Sequence, residues 1–411
     1  MPPSVDCQRS SFVKRNRRLK SWRENSVSVA DYRADLHMCR ELNAISLFSG
    51  AGGLDLGVEQ AGYDVVYAIE HDPIAVATLN LNRARWFPEL AEVEPLDITQ
   101  LDPLAIMADL ELEAGDIDLL VGGPPCVAFS KSGFHLDYKR QGRDPRAGLL
   151  GDYLRFLDAL RPAAFLLENV FGLAYRNQSA PFFEALKAGI RELGYSLTYG
   201  VLNAADYGAP QNRQRLFMIG ARDGTKLMHP RPTHWGQHER RRPPEDVGSL
   251  LPHVTAGEAL ADVTAESEAD ETVNGKYGHL LPDIPPGGNY LHYTSHEGHQ
   301  QPLFEWRSRY WTFLLKLDPG RPAPTLQGQP GPYVGPFHWE NRRLRVPELV
   351  RLQGFPDSYE FVGTRRDVQL QVGNSVVPPL AAIVAGAIRD HTSGSRAPSA
   401  SGLPGLARAA A

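Results

Sequence analysis

The feature that most constrains this chain is Asp118-Leu-Leu-Val-Gly-Gly-Pro-Pro-Cys126. The apolar run reads as a buried strand, and Gly-Gly-Pro-Pro stops it at once. Proline fixes φ, so the turn is stiff and holds the thiol behind it in place. In an open α/β sheet, ligands and chemistry collect at the carboxyl ends of the strands. A lone cysteine is more often a small buried apolar residue. Two prolines before Cys126, and Ser130, Lys131, Gly133 and His135 after it, favour a candidate nucleophile instead.

The surrounding pattern repeats this strand-then-polar-end design. Asn43-Ala-Ile-Ser-Leu-Phe48 is a short apolar strand that runs straight into Ser49-Gly-Ala-Gly-Gly-Leu-Asp55. A helix through Ala61 and a strand over Asp64–Ile69, ending on Glu70, complete a βαβ unit. Asp72 to Asn82 predicts a helix with Pro73 in its first turn. Glu94 to Ile98 is a strand end that leaves Asp97 near the same sheet edge. Gly148–Leu160 and Ala180–Leu193 have helical spacing, and Ala163–Leu167 is a buried strand followed by Glu168. Tyr195–Leu202 and Arg215–Ile219 are two further strands. Val346–Leu352 and Pro378–Ile388 restore apolar order near the end, the latter as a final helix. The alternation predicts an α/β fold with a doubly wound, mostly parallel sheet.

The glycine loop after the first strand lets backbone approach a ligand, and an acid about 20 residues on is placed for ribose hydroxyls. Gly50 and Glu70 have that spacing. A dinucleotide fingerprint wants a third glycine where this chain has Asp55, so NAD is disfavoured. A nucleoside-bearing ligand without a pyrophosphate fits better.

From Arg222 to about Arg342 periodicity is poor, and Pro, His, Gly, Trp and Arg are frequent. This predicts a second, smaller and irregular domain over 222–342, inserted into a larger one of 41–221 completed by 343–390. It carries His-Glu-Arg-Arg-Arg at 238–242 and the run Trp306-Arg307-Ser-Arg309-Tyr-Trp311, suited to reading base edges and phosphates. A net charge of −5 neither announces nor excludes nucleic acid, because the local field at a cleft decides. Residues 1–40 form a basic N-terminal extension, with Lys14, Arg15, Arg17, Arg18 and Lys20. Residues 391–411 read as a disordered tail. Cys7, Cys39 and Cys126 form no CxxC pair, so no structural metal is expected. The sparse cysteines, the polar N-terminus and the lack of a long apolar run place the chain in the cytoplasm, away from membranes.

A thiol at a strand end and a carboxyl at another, Glu168, suit addition to an electron-poor ring. The thiol needs a nearby cation or helix N-terminus to become thiolate. Desolvation pushes the carboxyl toward its neutral, proton-donating form. Gln211-Asn-Arg213-Gln-Arg215 supplies paired cations.

With these motifs in this order, residues 41 to 390 resemble the C5-cytosine-specific DNA methyltransferase family of the bacterial restriction-modification type. Phe48-Ser-Gly-Ala-Gly-Gly53 looks like its S-adenosylmethionine loop, and Glu70 like its ribose-holding acid. Gly123-Pro-Pro-Cys126, Glu168-Asn-Val170 and Gln211-x-Arg213-x-Arg215 resemble the nucleophile, base-holding and paired-arginine motifs. Arg321-Pro-Ala-Pro-Thr325 looks like the motif after the target-recognition region, and Gln371-Val-Gly-Asn374-Ser375 like the last one. Val127 stands where the family often has Gln.

The resemblance implies a Rossmann-like methyltransferase fold and S-adenosyl-L-methionine as cofactor. It implies cofactor contacts from Phe48, Ser49, Gly50, Gly52, Gly53 and Leu54. Glu70, Asp97, Ile98, Pro125, Asn374 and Ser375 complete that set. Cys126 would add to C6 of a flipped-out cytosine and Glu168 would protonate N3, with Arg213 and Arg215 on the base carbonyl and flanking phosphate. Ser130, Lys131, Arg143, Arg307 and Arg309 would contact double-stranded DNA, the first three from a lid spanning Ser130–Gly151. A transfer-RNA cytosine methyltransferase is the alternative, although its Cys-Phe-Thr signature is absent. A non-catalytic DNA-binding relative is a further one, against which Cys126, Glu168 and Arg213 stand. The biological setting stays open between a cognate restriction endonuclease, a phage-defence cassette and solitary action.

Overall fold

A computed structural model gives the fold and describes residues 42–125, 148–177, 179–236, 247–307 and 310–395. Six strands form the main sheet in the order β2-β1-β3-β4-β7-β5. They are β1 (Asn43–Leu47), β2 (Asp64–Ile69), β3 (Leu119–Gly122), β4 (Ala164–Val170), β5 (Thr198–Asn203) and β7 (Gln214–Ala221). A short β6 (Gln211–Asn212) pairs instead with Ala323–Pro324. β2, β1, β3 and β4 are mutually parallel. β7 runs antiparallel to both β4 and β5. The sheet is therefore mostly parallel: β7 alone runs against the others, one place in from the edge strand β5.

Alternation along the strands divides the core into two layers, because successive side chains point to opposite faces. Leu119, Val121, Ala164 and Leu166 join one apolar cluster, whereas Leu120, Phe165 and Leu167 join the other. The first layer is covered by α1 (Gly53–Gln60), α2 (Pro73–Trp86) and, from the far end of the chain, α8 (Pro378–Ser395). The second is covered by α3 (Pro103–Asp109), α4 (Leu149–Leu160) and α5 (Ala180–Glu192). Helices on both faces make the architecture doubly wound.

Local chemistry starts these helices where the sequence suggests. Asp72 Oδ1 accepts from the Ile74 amide at 2.8 Å, and Pro73 occupies the first turn of α2. Such a cap is worth ~1 kcal/mol. α2 runs on to Trp86, beyond the expected Asn82, because Leu79, Trp86 and Phe87 all bury. α8 likewise passes Ile388 to reach Ser395, and Arg389 donates to the Ala61 carbonyl at 2.7 Å. α1 and α8 pack so closely that a Cβ on Gly57 would overlap the Ala381 side chain. α6 (Val346–Gln353) and α7 (Arg365–Asn374) precede α8. The stretch Arg365–His391 is long and apolar enough in composition to cross a membrane, contrary to expectation, but its most apolar window is 67% buried and it is split between α7 and α8.

Tyr153 ties the central strands together. It is fully buried on α4, and its hydroxyl lies 3.3 Å from the Leu120 carbonyl on β3 and 3.2 Å from that of Leu166 on β4. Burying a side chain this size stabilises by roughly 1.5–3 kcal/mol. β3 and β4 are the strands that lead to Gly123-Pro-Pro and to Glu168.

Between Val273 and Phe337 a third apolar cluster forms, built on short 3-10 turns such as Tyr290–Tyr293. Its rings meet edge-on, with Tyr277 at 5.5, 5.4 and 5.3 Å from Phe304, Phe313 and Tyr333. Aromatic edges supply here the packing that periodic helices would supply elsewhere.

Candidate active site

The loop after β1 is held by its own backbone and by Glu70. Ser49 N–H donates to the Ile69 carbonyl at 3.1 Å, and Gly50 N–H donates to Glu70 Oε2 at 2.7 Å. Glu70 Oε1 accepts the amides of His71 and Asp72, both at 2.8 Å. A carboxylate has about four acceptor sites. His71 Nδ1 also lies 3.0 Å from Oε1, so Oε1 is fully used, whereas Oε2 has the Gly50 amide and one lone pair left for a ligand hydroxyl.

The loop glycines divide by role. Gly50 has φ +55°, and a Cβ there would meet nothing within 4 Å, so the loop is open on that side. Gly52 (φ +79°) and Gly53 face inward. A Cβ on Gly52 would come within 2.6 Å of Tyr359 Oη, and one on Gly53 would press on the Val376 carbonyl. Tyr359 Oη in turn donates to the Ala51 carbonyl at 2.7 Å. Of these glycines, only Gly50 offers the open approach that the sequence suggested for all of them. Phe48 is half-buried with φ 58°, a costly conformation for a bulky residue. Leu54 and Ile98 bury their side chains in the two core layers, away from the loop's open side. Asp97 is exposed beside the loop, and Thr99 hydrogen bonds hold its carboxyl below the usual range.

Asp55 sits beneath the same loop. It is 0% exposed, and neither carboxylate oxygen makes a hydrogen bond of normal geometry. The Ser49 and Ser46 hydroxyls beside it bond to each other at 2.9 Å. Burial pushes its pKa up to about 6, against the weaker pull of those hydroxyls.

At the neighbouring strand ends a second group assembles. Pro125 is exposed at the end of the stiff turn, and Pro124 is buried. The Pro124 carbonyl accepts from Asn169 Nδ2 at 3.1 Å. Glu168 lies inside β4 rather than beyond it, and its Oε2 is 3.3 Å from where a Gly123 Cβ would stand. Burial raises the Glu168 pKa, against the pull of Arg215 and Arg213. Arg215 Nε lies 3.0 Å from Glu168 Oε1. Cys126, Ser130, Lys131, Arg143 and Arg309 lie outside the described residues, as do the run at 238–242, most of the expected lid and the N-terminal extension.

Arg213 is placed differently from Arg215. It is 1% exposed, and its guanidinium donates to the carbonyls of Leu326 (3.0 Å), Gly373 (2.6 Å) and Ser375 (3.0 Å). Both terminal nitrogens hold backbone, and three carbonyls solvate the buried cation, while Nε is buried without a hydrogen-bond partner. Ser375 uses its hydroxyl on the Gln371 carbonyl at 2.7 Å, and Asn374 is exposed. Asn169, Tyr153 and Tyr359 support the site and were not singled out from the sequence. Asn169 was visible within a quoted motif, whereas the others sit at ordinary helix and loop positions.

Arg307 is exposed in the recognition region, 62% at its side chain, with Trp306, Tyr310 and Trp311 exposed around it. Its backbone is fixed on both sides by Tyr290 Oη, which accepts from the Arg307 amide at 2.9 Å and donates to the Arg307 carbonyl at 2.8 Å.

An open loop beside a ribose-type acid, and a buried carboxyl paired with arginine at the next strand ends, are the parts a base-modifying methyltransferase needs. A family model of the C-5 cytosine-specific DNA methylase matches residues 42–390, and the chain belongs to that family of enzymes. It is 43% identical over 376 residues to the Type II methyltransferase M.SacI of Streptomyces achromogenes, covering 86% of this chain and 94% of that protein. It is 31% identical over 379 residues to the Type II methyltransferase M.DdeI of Desulfomicrobium norvegicum, covering 84% and 88%. Its fold matches that of S. pombe Dnmt2 methyltransferase with a TM-score of 0.57 at 18% identity, over 86% of this chain and 99% of that one.

Proposed function

We propose that this enzyme transfers a methyl group from S-adenosylmethionine to cytosine C5 in one short duplex DNA sequence, through a covalent Cys126 adduct. We infer that it is the modification partner of a restriction endonuclease in a Type II system. The placement of Glu168 carries the reading: a buried carboxyl, its pKa raised by that burial, against the turn that leads to Cys126, with Arg215 at 3.0 Å. The names of M.SacI and M.DdeI support the biological setting.

The residues fit the cofactor. The open side of Gly50, the spare lone pair on Glu70 and exposed Asp97 would receive its nucleoside. Bound there, it supplies a methyl group on a sulfonium. The protein supplies the rest. A base inside the duplex is out of reach, so cytosine is flipped out at a cost of a few kcal/mol. The Cys126 thiolate forms a bond to C6. Glu168 gives its proton to N3, which offsets the charge that the addition pushes onto the ring. Arg215 holds the Glu168 carboxylate and faces the base carbonyl. After methylation at C5 a base takes the C5 proton, the C6–S bond breaks to release the Cys126 thiolate, and the N3 proton returns to Glu168.

Sequence choice is assigned to residues 222–342, with Arg307 presented on its Tyr290-braced loop. The test has two parts. Wild-type protein with DNA containing 5-fluorocytosine should give a complex that survives denaturation, and Cys126→Ala should not; equal trapping by both ends the nucleophile assignment. Expression in a methylation-free bacterium followed by bisulfite sequencing should reveal 5-methylcytosine in one fixed context. Modified transfer RNA with unmodified DNA would instead place the activity on RNA.

A further inference from the structure

A buried polar cluster lies between the two sites and the recognition region. Gln211, Arg213 and Gln353 are 0%, 1% and 0% exposed. Gln211 accepts from the Leu326 amide at 3.1 Å and donates to the Leu352 carbonyl at 3.1 Å and to Gln353 Oε1 at 2.8 Å. Gln353 donates to the Ser375 carbonyl at 2.7 Å, the same oxygen that accepts from Arg213. Three functional segments meet in this knot. The first, 211–213, leads directly to Arg215. The second, 326–328, belongs to the recognition region and directly follows Arg321–Thr325. The third, 373–375, is the segment whose neighbour Val376 packs on Gly53 of the cofactor loop.

The second and third segments touch backbone to backbone. A Cβ on Gly373 would overlap Gly328, and one on Gly328 would come within 3.0 Å of Asn374 Oδ1. Gln369 adds a bond to the Gln327 carbonyl at 3.3 Å. A buried network of this kind has discrete arrangements, since shifting one member orphans donors elsewhere. The segments it joins therefore move together.

We propose that this knot couples DNA bound on the recognition region to the grip on the cofactor, with Gln353 and Arg213 as positioning residues. The proposal rests on the methylase reading of both sites. Each partner of Gln353 keeps another bond without it: Ser375 keeps Arg213, and Gln211 keeps Leu352. Gln353→Met should therefore fold with the coupling cut.

The experiment titrates S-adenosylhomocysteine into the full-length protein by calorimetry, with and without sheared DNA from a methylation-free bacterium, which contains any short target. DNA should tighten wild-type binding about tenfold, inside the usual range of ~5–150-fold for coupled sites. In Gln353→Met that gain should fall below about twofold, while affinity without DNA changes less than about threefold, on the same coupling scale. If Gln353→Met does not fold, Gln369→Met is read in the same way. A gain in the variant equal to wild type, or no gain in wild type that binds both ligands, overturns the proposal. Failure of wild type to bind S-adenosylhomocysteine or DNA at all would instead overturn the methylase reading.

Discussion

Arg215 Nε stands 3.0 Å from Glu168 Oε1, across two antiparallel strands. The register pairs Glu168 with Phe217 and Val170 with Arg215, so the two charged residues share a face on the diagonal. The contact is therefore fixed by strand pairing and does not depend on a flexible loop. It keeps a carboxyl in a desolvated place without leaving it unpaired, a loss that would cost about 3–5 kcal/mol.

Glu168→Gln should lower kcat by about 10²- to 10⁴-fold, the usual worth of a general acid. S-adenosylhomocysteine affinity should stay nearly unchanged, because the proposed mechanism gives Glu168 to the base and Glu70 to the cofactor. Replacing Arg215 by Leu removes the pull that opposes burial, so the Glu168 pKa should rise further. The alkaline limb of the pH dependence of kcat/KM should move up in that variant, and an unmoved limb would detach Glu168 from proton donation.

Glu70→Ala should do the reverse. It leaves the Gly50, His71 and Asp72 amides without their acceptor, and each orphaned donor costs roughly 1–3 kcal/mol where it is buried. S-adenosylhomocysteine binding should weaken by tenfold or more by that same reckoning, with DNA affinity retained. Calorimetry on both carboxyl variants would expose a misplaced assignment as equal loss of cofactor binding in each.

Asp55 predicts a pH-dependent stability. Its folded pKa is raised from 3.8 to about 6 by burial. The unfolded chain therefore releases this proton first as pH rises, and wild-type stability should fall between about 4 and 6 and then level off. The shift corresponds to about 3 kcal/mol at most. Asp55→Asn should be the more stable protein at pH 7 by about 1–3 kcal/mol and should match wild type at acid pH. Urea midpoints measured across this range would refute the idea if the difference between the two proteins did not grow with pH.

Tyr290→Phe should weaken DNA binding without touching DNA itself. The lost hydroxyl is the brace on both sides of the Arg307 backbone. Arg307→Ala should reduce affinity and flatten the plot of log K against log salt by about one unit of charge. Tyr290→Phe should keep the slope of an intact cation and lose affinity alone; matching slopes in wild type and Arg307→Ala would take Arg307 off the phosphates.

The sequence by itself determined the strand-and-helix alternation, the glycine turn after β1, the acids at the strand ends and the order of motifs. Each of these is a local property: period, φ freedom, or a polar residue that ends an apolar run. Helix boundaries moved: by one turn at Trp86, where distant packing stabilised it, and by about two at Ser395. Only the tertiary structure decided that β7 runs against the rest of the sheet, since strand direction depends on partners and not on composition. Only it separated Arg213 from Arg215, two residues of the same type in one motif. One faces a carboxylate; the other binds carbonyls 113 to 162 residues away. At Gly52 and Gly53 the absent Cβ makes room for Tyr359 and Val376, a packing demand that the loop motif alone does not show. Such choices lie in contacts between residues far apart in the chain, and no local pattern encodes them.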